Sequence, residues 1–537
     1  MRDFRQILLG GISLDFRADE QDIIKASANK LKQAGYDPAG LHFRIYRRSI
    51  DARRRSDIRA VCSVLVSGEA GRLPSGDKLG RLGGKEFEEA NIEVKIGNEK
   101  MQGRPLIVGT GPAGMFCGLL LAQNGYAPIV IERGGSVAER TAAVDNFCRT
   151  HILDTESNIQ FGAGGAGTFS DGKLVTRISD ARTSYVLRAL HEHGAPDSIL
   201  TQAKPHVGTD ILKIVTQNLL SEIERLGGEV RYHTRLDGFD EYSQAIKANT
   251  SQGDIGCGVM VLALGHSARD TGSVLISRGI DVVPKAFSVG VRIEHLQSDI
   301  DEALYGNFAG DVRLGPAEYA LSDTTGDRGV YTFCMCPGGE IAAAASEQGG
   351  LVVNGMSNHA RDGRNANSAV AVSVLPEDFG NTVQNAIEFQ RNIERAAFVA
   401  GGGEFCAPVQ TVGDFLQGVS RHAPNRVLPT YMNGHVNMAE LGGIFPEFVS
   451  NTLRRGLVSF GRKMRGFDAP DAVLTGAETR TSSPVRMPRG ETLTAIGHDR
   501  IYPCGEGAGY AGGITSAAVD GIRVAQAIME RYAPCGD

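Results

Sequence analysis

Residues 105–133 read PLIVGTGPAGMFCGLLLAQNGYAPIVIER. An apolar strand enters a glycine turn, an apolar helix follows, and a second apolar strand ends at Glu132. In that setting Gly109, Gly111 and Gly114 fill G-x-G-x-x-G, the signature of a dinucleotide-binding βαβ unit. Gly109 permits the tight turn, Gly111 leaves room for a pyrophosphate against the backbone, and Gly114 lets helix and strand pack closely. Pro112 and Ala113 open the helix, whose N-terminal amides carry partial positive charge. Glu132 then stands about 20 residues downstream, where a carboxylate accepts from ribose hydroxyls and repels a phosphorylated ribose.

The rest of the chain bounds what this unit belongs to. With 537 residues, a prior of about three to four domains applies. The 56 Lys plus Arg against 62 Asp plus Glu leave a formal charge of -6, too small to advertise a polyanionic partner. Sixty-nine glycines, 20 prolines and 42% hydrophobic residues describe many turns around sizeable cores. The nine cysteines, at 62, 117, 148, 257, 334, 336, 406, 504 and 535, are scattered, which favours reduced thiols and a cytoplasmic location. Charges interrupt every apolar stretch of MRDFRQILLGGISLDFRADE, so neither a signal peptide nor a membrane span is expected.

Residues 1–98 show a strand-helix-strand-strand order, predicting a small α+β accessory domain, and the polar IGNEKMQGR marks the boundary. Within it Arg47, Arg48, Arg53, Arg54 and Arg55 sit near Phe43 and Tyr46. A solvated or salt-bridged face is the expectation there, and a nucleic-acid partner is not. Further on, TDILKIVTQNLLSEIERLGG from Thr209 reads as a helix, with EVRYHTRL and GVMVLALG as strands. No fixed-period repeat appears.

The fingerprint alone suits NAD or FAD, and the flavin end of FAD requires distant segments. Three are present. Arg133 and Arg140 lead into GAGGAGTFSDGKL, where Gly165, Gly167, Thr168, Ser170, Asp171 and Lys173 combine small residues with charge. A strand then ends at Ala263-Leu264-Gly265, followed by His266 and Arg269, which suit adenine-side positioning or turn capping. Finally IYPCGEGAGYAGGITSAAVDGI brings Gly505, Glu506 and Gly513 to a helix starting near Ile514. Gly162, Gly164 and Gly167 satisfy the bare glycine pattern again but lack the flanking strand and helix, so they do not form a second Rossmann turn.

RPLIVGTGPAG, ESNIQFGAGGAGTFSDGKL, the segment from Tyr331 to Val370 and CGEGAGYAGGITSAAVDGI together resemble the bacterial FAD-dependent dehydrogenases of unassigned substrate, within the glutathione-reductase-like flavoproteins. The resemblance covers most of the chain. It implies noncovalent FAD, a two-domain flavoprotein body, and dinucleotide contacts at Gly109, Gly111, Gly114 and Glu132. It implies no substrate.

The expected fold class is therefore α/β, a Rossmann-type FAD-binding domain at 102–280 and 486–537 with an inserted mixed α+β substrate domain at 281–485 and the N-terminal unit. The expected activity is hydride transfer between a small-molecule substrate and flavin N5. Lys173 and the turn Gly512-Gly513-Ile514 are candidates for positive potential near the flavin. His359 and Arg361 are candidates for proton transfer or binding an acidic substrate, and Glu347 is a weaker one. Tyr331, Tyr431 and Tyr510 fit either flavin stacking or core packing. Cys334 and Cys336, two apart on a strand, should share a face at roughly 7 Å, which favours packing over redox chemistry. No metal site is expected, because no zinc-type ligand set accompanies them. Without a second fingerprint, NAD(P)H would serve only as a transient donor on the substrate side, with quinone, a protein carrier or oxygen as acceptor. Two other readings stay open: a flavin-dependent monooxygenase, and an RNA- or protein-binding factor holding FAD for structure or sensing, with the arginine hairpin as its surface.

Overall fold

In the computed structural model, which describes residues 4–89, 92–176 and 178–534, five three-residue strands form a parallel sheet. Their order is Ile501–Pro503, Met260–Leu262, Leu106–Val108, Ile129–Ile131 and Glu229–Arg231. Leu106 lies opposite both Met260 and Ile129, so the strands end level and their carboxyl ends share one edge. Layers cover both faces of the sheet, which is why its central strands are uninterrupted apolar runs. The fingerprint helix Pro112–Gln123 is buried from Ala113 through Ala122, packed against helices Thr209–Arg225 and Ile514–Arg531. Its apolar sequence on every side follows from that enclosure.

Between the two stretches that supply this sheet lies a seven-stranded one, in the order Ser322–Asp323, Val330–Cys336, Asn365–Val374, Phe287–Leu296, Val473–Glu478, Ala407–Thr411 and Val436–Met438. All its pairings are antiparallel except the last. Helices Val383–Ala400 and Glu447–Lys463 pack on it. A buried ion cluster ties it to the nucleotide side: Arg269, from the turn after Met260–Leu262, bonds Glu394 at 2.8 and 2.9 Å, and Arg480 bonds the same carboxylate at 3.1 and 3.2 Å.

Strand Val330–Cys336 corrects one expectation. Its pairing with Asn365–Val374 slips between Phe333 and Cys336, and Cys334 takes a left-handed φ of 46°. The bulge breaks the strict alternation on which the roughly 7 Å expectation depends. Cys336 Sγ instead folds back to donate to the Cys334 carbonyl at 3.3 Å. All eight cysteines among the described residues are free thiols, and Cys535 lies outside the described residues.

The N-terminal sheet runs His42–Asp51, Arg59–Glu69, Phe4–Asp15 and Gly84–Glu86. Helix Glu20–Gln33, started by the Asp19–Asp22 capping box, lays Ile23 and Leu31 against Ile7, Leu9, Val64 and Val66. The arginine hairpin is largely spoken for. Arg48 exchanges backbone hydrogen bonds with Thr201 and Ala203 at 2.7 and 2.8 Å, Arg47 reaches the Ala203 carbonyl, and Arg53 pairs with Asp51. Arg54 and Arg55 remain exposed. Among the described residues no helix is long and apolar enough to cross a membrane.

Candidate functional site

Four of the parallel strands deliver residues to one cavity of about 330 Å³, through Val108, Ile131, Ala263 and Cys504 at or just beyond their carboxyl ends. This is the edge at which open parallel sheets bind ligands. The three fingerprint glycines differ in what they do there. Gly109 has a φ of 105°, and a Cβ on it would stand 2.4 Å from the Ala263 carbonyl oxygen. A Cβ on Gly114 would lie 1.9 Å from the Gly109 carbonyl, so this glycine closes the turn and does not line the cavity. A Cβ on Gly111 would meet no protein atom within 4 Å and would project into open cavity beside Pro112 and Ala113.

Glu132 is 5% exposed and lines the same space. Its carboxylate accepts from Thr110 N at 3.1 Å, Thr110 Oγ1 at 2.6 Å, Gly134 N at 3.1 Å and Gly162 N at 3.0 Å. It thus fastens the fingerprint turn to the glycine-rich segment. Arg133 borders the cavity with its guanidinium 4.2 Å from the Phe161 ring centroid, held by Glu156 and Asp270 at 2.9 Å each.

The glycine-rich segment and the C-terminal turn converge on the fingerprint. A Cβ on Gly165 would be 3.0 Å from Gly111 Cα, and one on Gly167 would be 3.3 Å from Ile514 Cγ1 and 3.6 Å from Pro112 Cγ. Ser170, Gly265, Glu506 and Gly513 also line the cavity. Gly265, Gly512 and Gly513, like Gly111, have no protein atom within 4 Å of where a side chain would begin. Helices Pro112–Gln123 and Ile514–Arg531 both begin without a side-chain cap, which leaves their first amides toward this space. His266 borders it as well, and its Nε2 is buried with no hydrogen-bond partner among the described residues. Burial, then Arg480 and Arg269, push this imidazole down to about 3, so it is neutral.

Several candidate residues lie elsewhere. Arg140 is fully buried and donates to the carbonyls of Asn158, Ile159, Ala163 and Gly165 at 2.6 to 2.9 Å. It braces the glycine-rich turn from behind instead of touching the cavity. Thr168 bonds the Ala163 carbonyl, and Gly505 packs under Ala113 with its N–H on Asp520; neither lines the space. His359 stacks on His206 at 5.0 Å with Nδ1 on the Val207 carbonyl, because the loop after Ser357 folds onto the start of helix Thr209–Arg225. Arg361 also stays out of the cavity: it clasps Asp171 at 2.5 and 2.9 Å and Glu318 at 2.6 Å. Glu347 is held by Arg269 and Arg391. The three tyrosines pack or cap: Tyr331 on Ser288, Tyr431 on the Phe405 carbonyl, Tyr510 beneath Arg489.

Lys173 does reach the cavity. Its ammonium bonds Asp171 at 2.9 Å and donates to the Met335 carbonyl. Burial alone would raise the Asp171 carboxyl, but Lys173 and Arg361 outweigh it and hold the group below the usual carboxylate range. Arg361 therefore acts on the site by fixing the partner of Lys173. The remaining wall comes from Phe333, Cys334 and Glu478 of the seven-stranded sheet, Asn354 of the separate strand Val353–Met356, and Arg480 and Thr481 just beyond Val473–Glu478. These two charged residues were readable in principle, since Glu478 ends an apolar strand and Arg480 follows just beyond it.

Burial pushes the Glu506 carboxyl up to about 7, against the pull of Lys285. A carboxyl that titrates higher in the folded chain than its ordinary 4.5 favours folding below that value and costs stability as pH rises through about 7. The ligand-free protein should lose on the order of 2 kcal/mol across that window, and Glu506→Gln should abolish the loss. Denaturant unfolding at several pH values measures it.

Residues 286–481 match the family described as FAD-dependent protein, C-terminal domain-like, and residues 8–67 match a domain of unknown function. A Clostridium beijerinckii chain known as an uncharacterized protein is 46% identical over 534 residues, 98% of this chain and 99% of that one. Among solved structures, CtdE in complex with FAD is 14% identical over 80% of this chain and 84% of its own, at a TM-score of 0.31. FqzB is 10% identical over 81% and 78%, at 0.36. The tetracycline destructase Tet(51) is 9% identical over 78% and 79%, at 0.32. Those three likenesses are too distant to carry a property across. The near end-to-end identity does carry membership: the protein belongs to one family with its Clostridium beijerinckii relative, and its residues 286–481 match the FAD-dependent protein C-terminal domain family.

Proposed function

We propose that the protein is an FAD-dependent oxidoreductase that holds FAD noncovalently in this cavity and exchanges hydride equivalents with a small-molecule substrate. The observation that carries the reading is the convergence of four bare glycines, at 111, 265, 512 and 513, with two uncapped helix starts on one cavity that also holds Glu132. An elongated anion with ribose hydroxyls at one end answers all of these features. When bound, the flavin supplies two-electron redox chemistry.

The chain's own part is to grip and to tune. Gly111 and the start of helix Pro112–Gln123 receive the pyrophosphate, and Glu132 faces the adenosine ribose. Lys173 and the amides at Gly513 and Ile514 place positive potential near the ring system, which favours an anionic reduced state. Phe333 and Cys334 from the inserted sheet, with Asn354 from the strand Val353–Met356, form the wall against which a substrate is admitted. Neutral His266 has a free nitrogen with which to bond a polar ligand atom.

Anaerobic titration of the yellow protein with a metabolite panel, NADH and NADPH included, tests the activity. Bleaching of the oxidised flavin band by one chemical class, with recovery on adding an acceptor, is the expected result. Turnover that incorporates oxygen in step with donor oxidation would replace the dehydrogenase reading by a monooxygenase one.

A further inference from the structure

Cys334 and Cys336 stand apart from the other thiols among the described residues. Cys334 is partly exposed and lines the cavity, while Cys336 lies fully buried beneath it. The strand bulge falls between them, and Cys336 Sγ folds back onto the Cys334 carbonyl at 3.3 Å. Their surroundings are polar. The fully buried guanidinium of Arg292 donates to the Cys334 carbonyl at 2.8 Å and approaches Cys336 Sγ at 3.7 Å, with Glu478 as its counter-ion at 2.9 Å. From the other side Lys173 caps the Met335 carbonyl, the residue between the two cysteines. Packing requires none of these charges, since a buried cysteine of purely structural role behaves as a small hydrophobe. The Cys334 thiol is held below its ordinary value, first by the neighbouring Cys336 thiol and then, against burial, by Arg292 and Lys173, whereas Cys336 is pushed up. That asymmetry suits an attacking thiol in front and a resolving thiol behind.

We propose that Cys334 and Cys336 form a dithiol exchange site that reduces small disulfides entering the cavity, with Cys334 as the attacking and Cys336 as the resolving thiol. The Cys334 thiolate attacks one sulfur of R–S–S–R, forming a mixed disulfide and expelling a first thiolate, which takes up a proton. Cys336 then gives up its proton and attacks Cys334 Sγ, expelling the second thiolate and closing the Cys334–Cys336 disulfide. The dithiol is oxidised by two electrons and one small disulfide becomes two thiols. The exchange needs no flavin, so it stands or falls apart from the FAD reading.

The test uses the full chain, both as isolated and after flavin removal. Each is reduced, desalted, treated with hydroxyethyl disulfide, quenched with N-ethylmaleimide in denaturant so that buried thiols are labelled too, and peptide-mapped beside an untreated reduced control. Loss of maleimide from Cys334 and Cys336 together, release of two mercaptoethanol molecules per chain and return of both labels after dithiothreitol are expected. Cys336→Ser should stop at mercaptoethanol attached to Cys334, and Cys334→Ser should yield neither product at this site. Persistence of both labels on the wild-type chain, or modification confined to other cysteines such as Cys148 and Cys406, overturns the proposal. The wild-type map decides this even where a variant folds poorly.

Discussion

Gly111→Val is expected to weaken FAD binding at least about a hundredfold while leaving the ligand-free fold nearly as stable as before. Gly111 has φ −62° and ψ 175°, backbone that any residue adopts, and a side chain there meets no protein atom within 4 Å. The valine therefore costs the apo chain little beyond a change of helix N-cap, about 1 kcal/mol or less. Its branched carbons fill the open space beside Pro112 and Ala113 that the proposed pyrophosphate would take. Gly114→Ala makes the contrast, because its Cβ would sit 1.9 Å from the Gly109 carbonyl and must push strand and helix apart. That variant should lose folding stability along with the cofactor. Fluorescence titration with FAD, paired with thermal unfolding of the apo proteins, separates the two effects.

Glu394→Ala should destabilise the chain by about 3 to 5 kcal/mol, the cost of leaving buried charge unpaired. Glu394 is 1% exposed and receives both Arg269 and Arg480, with Thr479 Oγ1 adding a bond at 2.8 Å. Burial pushes its carboxyl up, but the two guanidiniums prevail and hold it well below the usual range. Its folded value being depressed, the stabilisation is present above the ordinary 4.5 and fades as pH falls below it. The variant should accordingly show a flatter acid limb than the parent in denaturant unfolding. Because Arg269 follows the parallel sheet and Arg480 the inserted one, the loss should also loosen the wall formed by Arg480 and Thr481.

What could be read in advance divides along the range of the forces involved. The fingerprint turn, the helix from Thr209 and the helix from Ile514 rest on glycine placement and apolar spacing within a dozen or so residues, so the local sequence discloses them. The bare edge at Gly512 and Gly513 is legible for the same reason. Arg140 misled because it follows the cavity residues Glu132 and Arg133 by a few positions, while the carbonyls it satisfies come from the loop after its own helix. His359 and Arg361 sit in a polar loop whose docking partners, Val207 and Asp171, lie some 150 to 190 residues away. No period or motif encodes such contacts. Cys334 shows the converse error: strict strand alternation hid a bulge that only pairing with Asn365–Val374 reveals.

The most direct measurement is the identity of whatever the freshly purified protein releases on heat denaturation, followed by FAD titration of the stripped chain. One FAD per chain by mass and absorbance, with rebinding that Gly111→Val removes, is the predicted result. A colourless protein that releases no flavin and leaves added FAD fluorescence unchanged would contradict it.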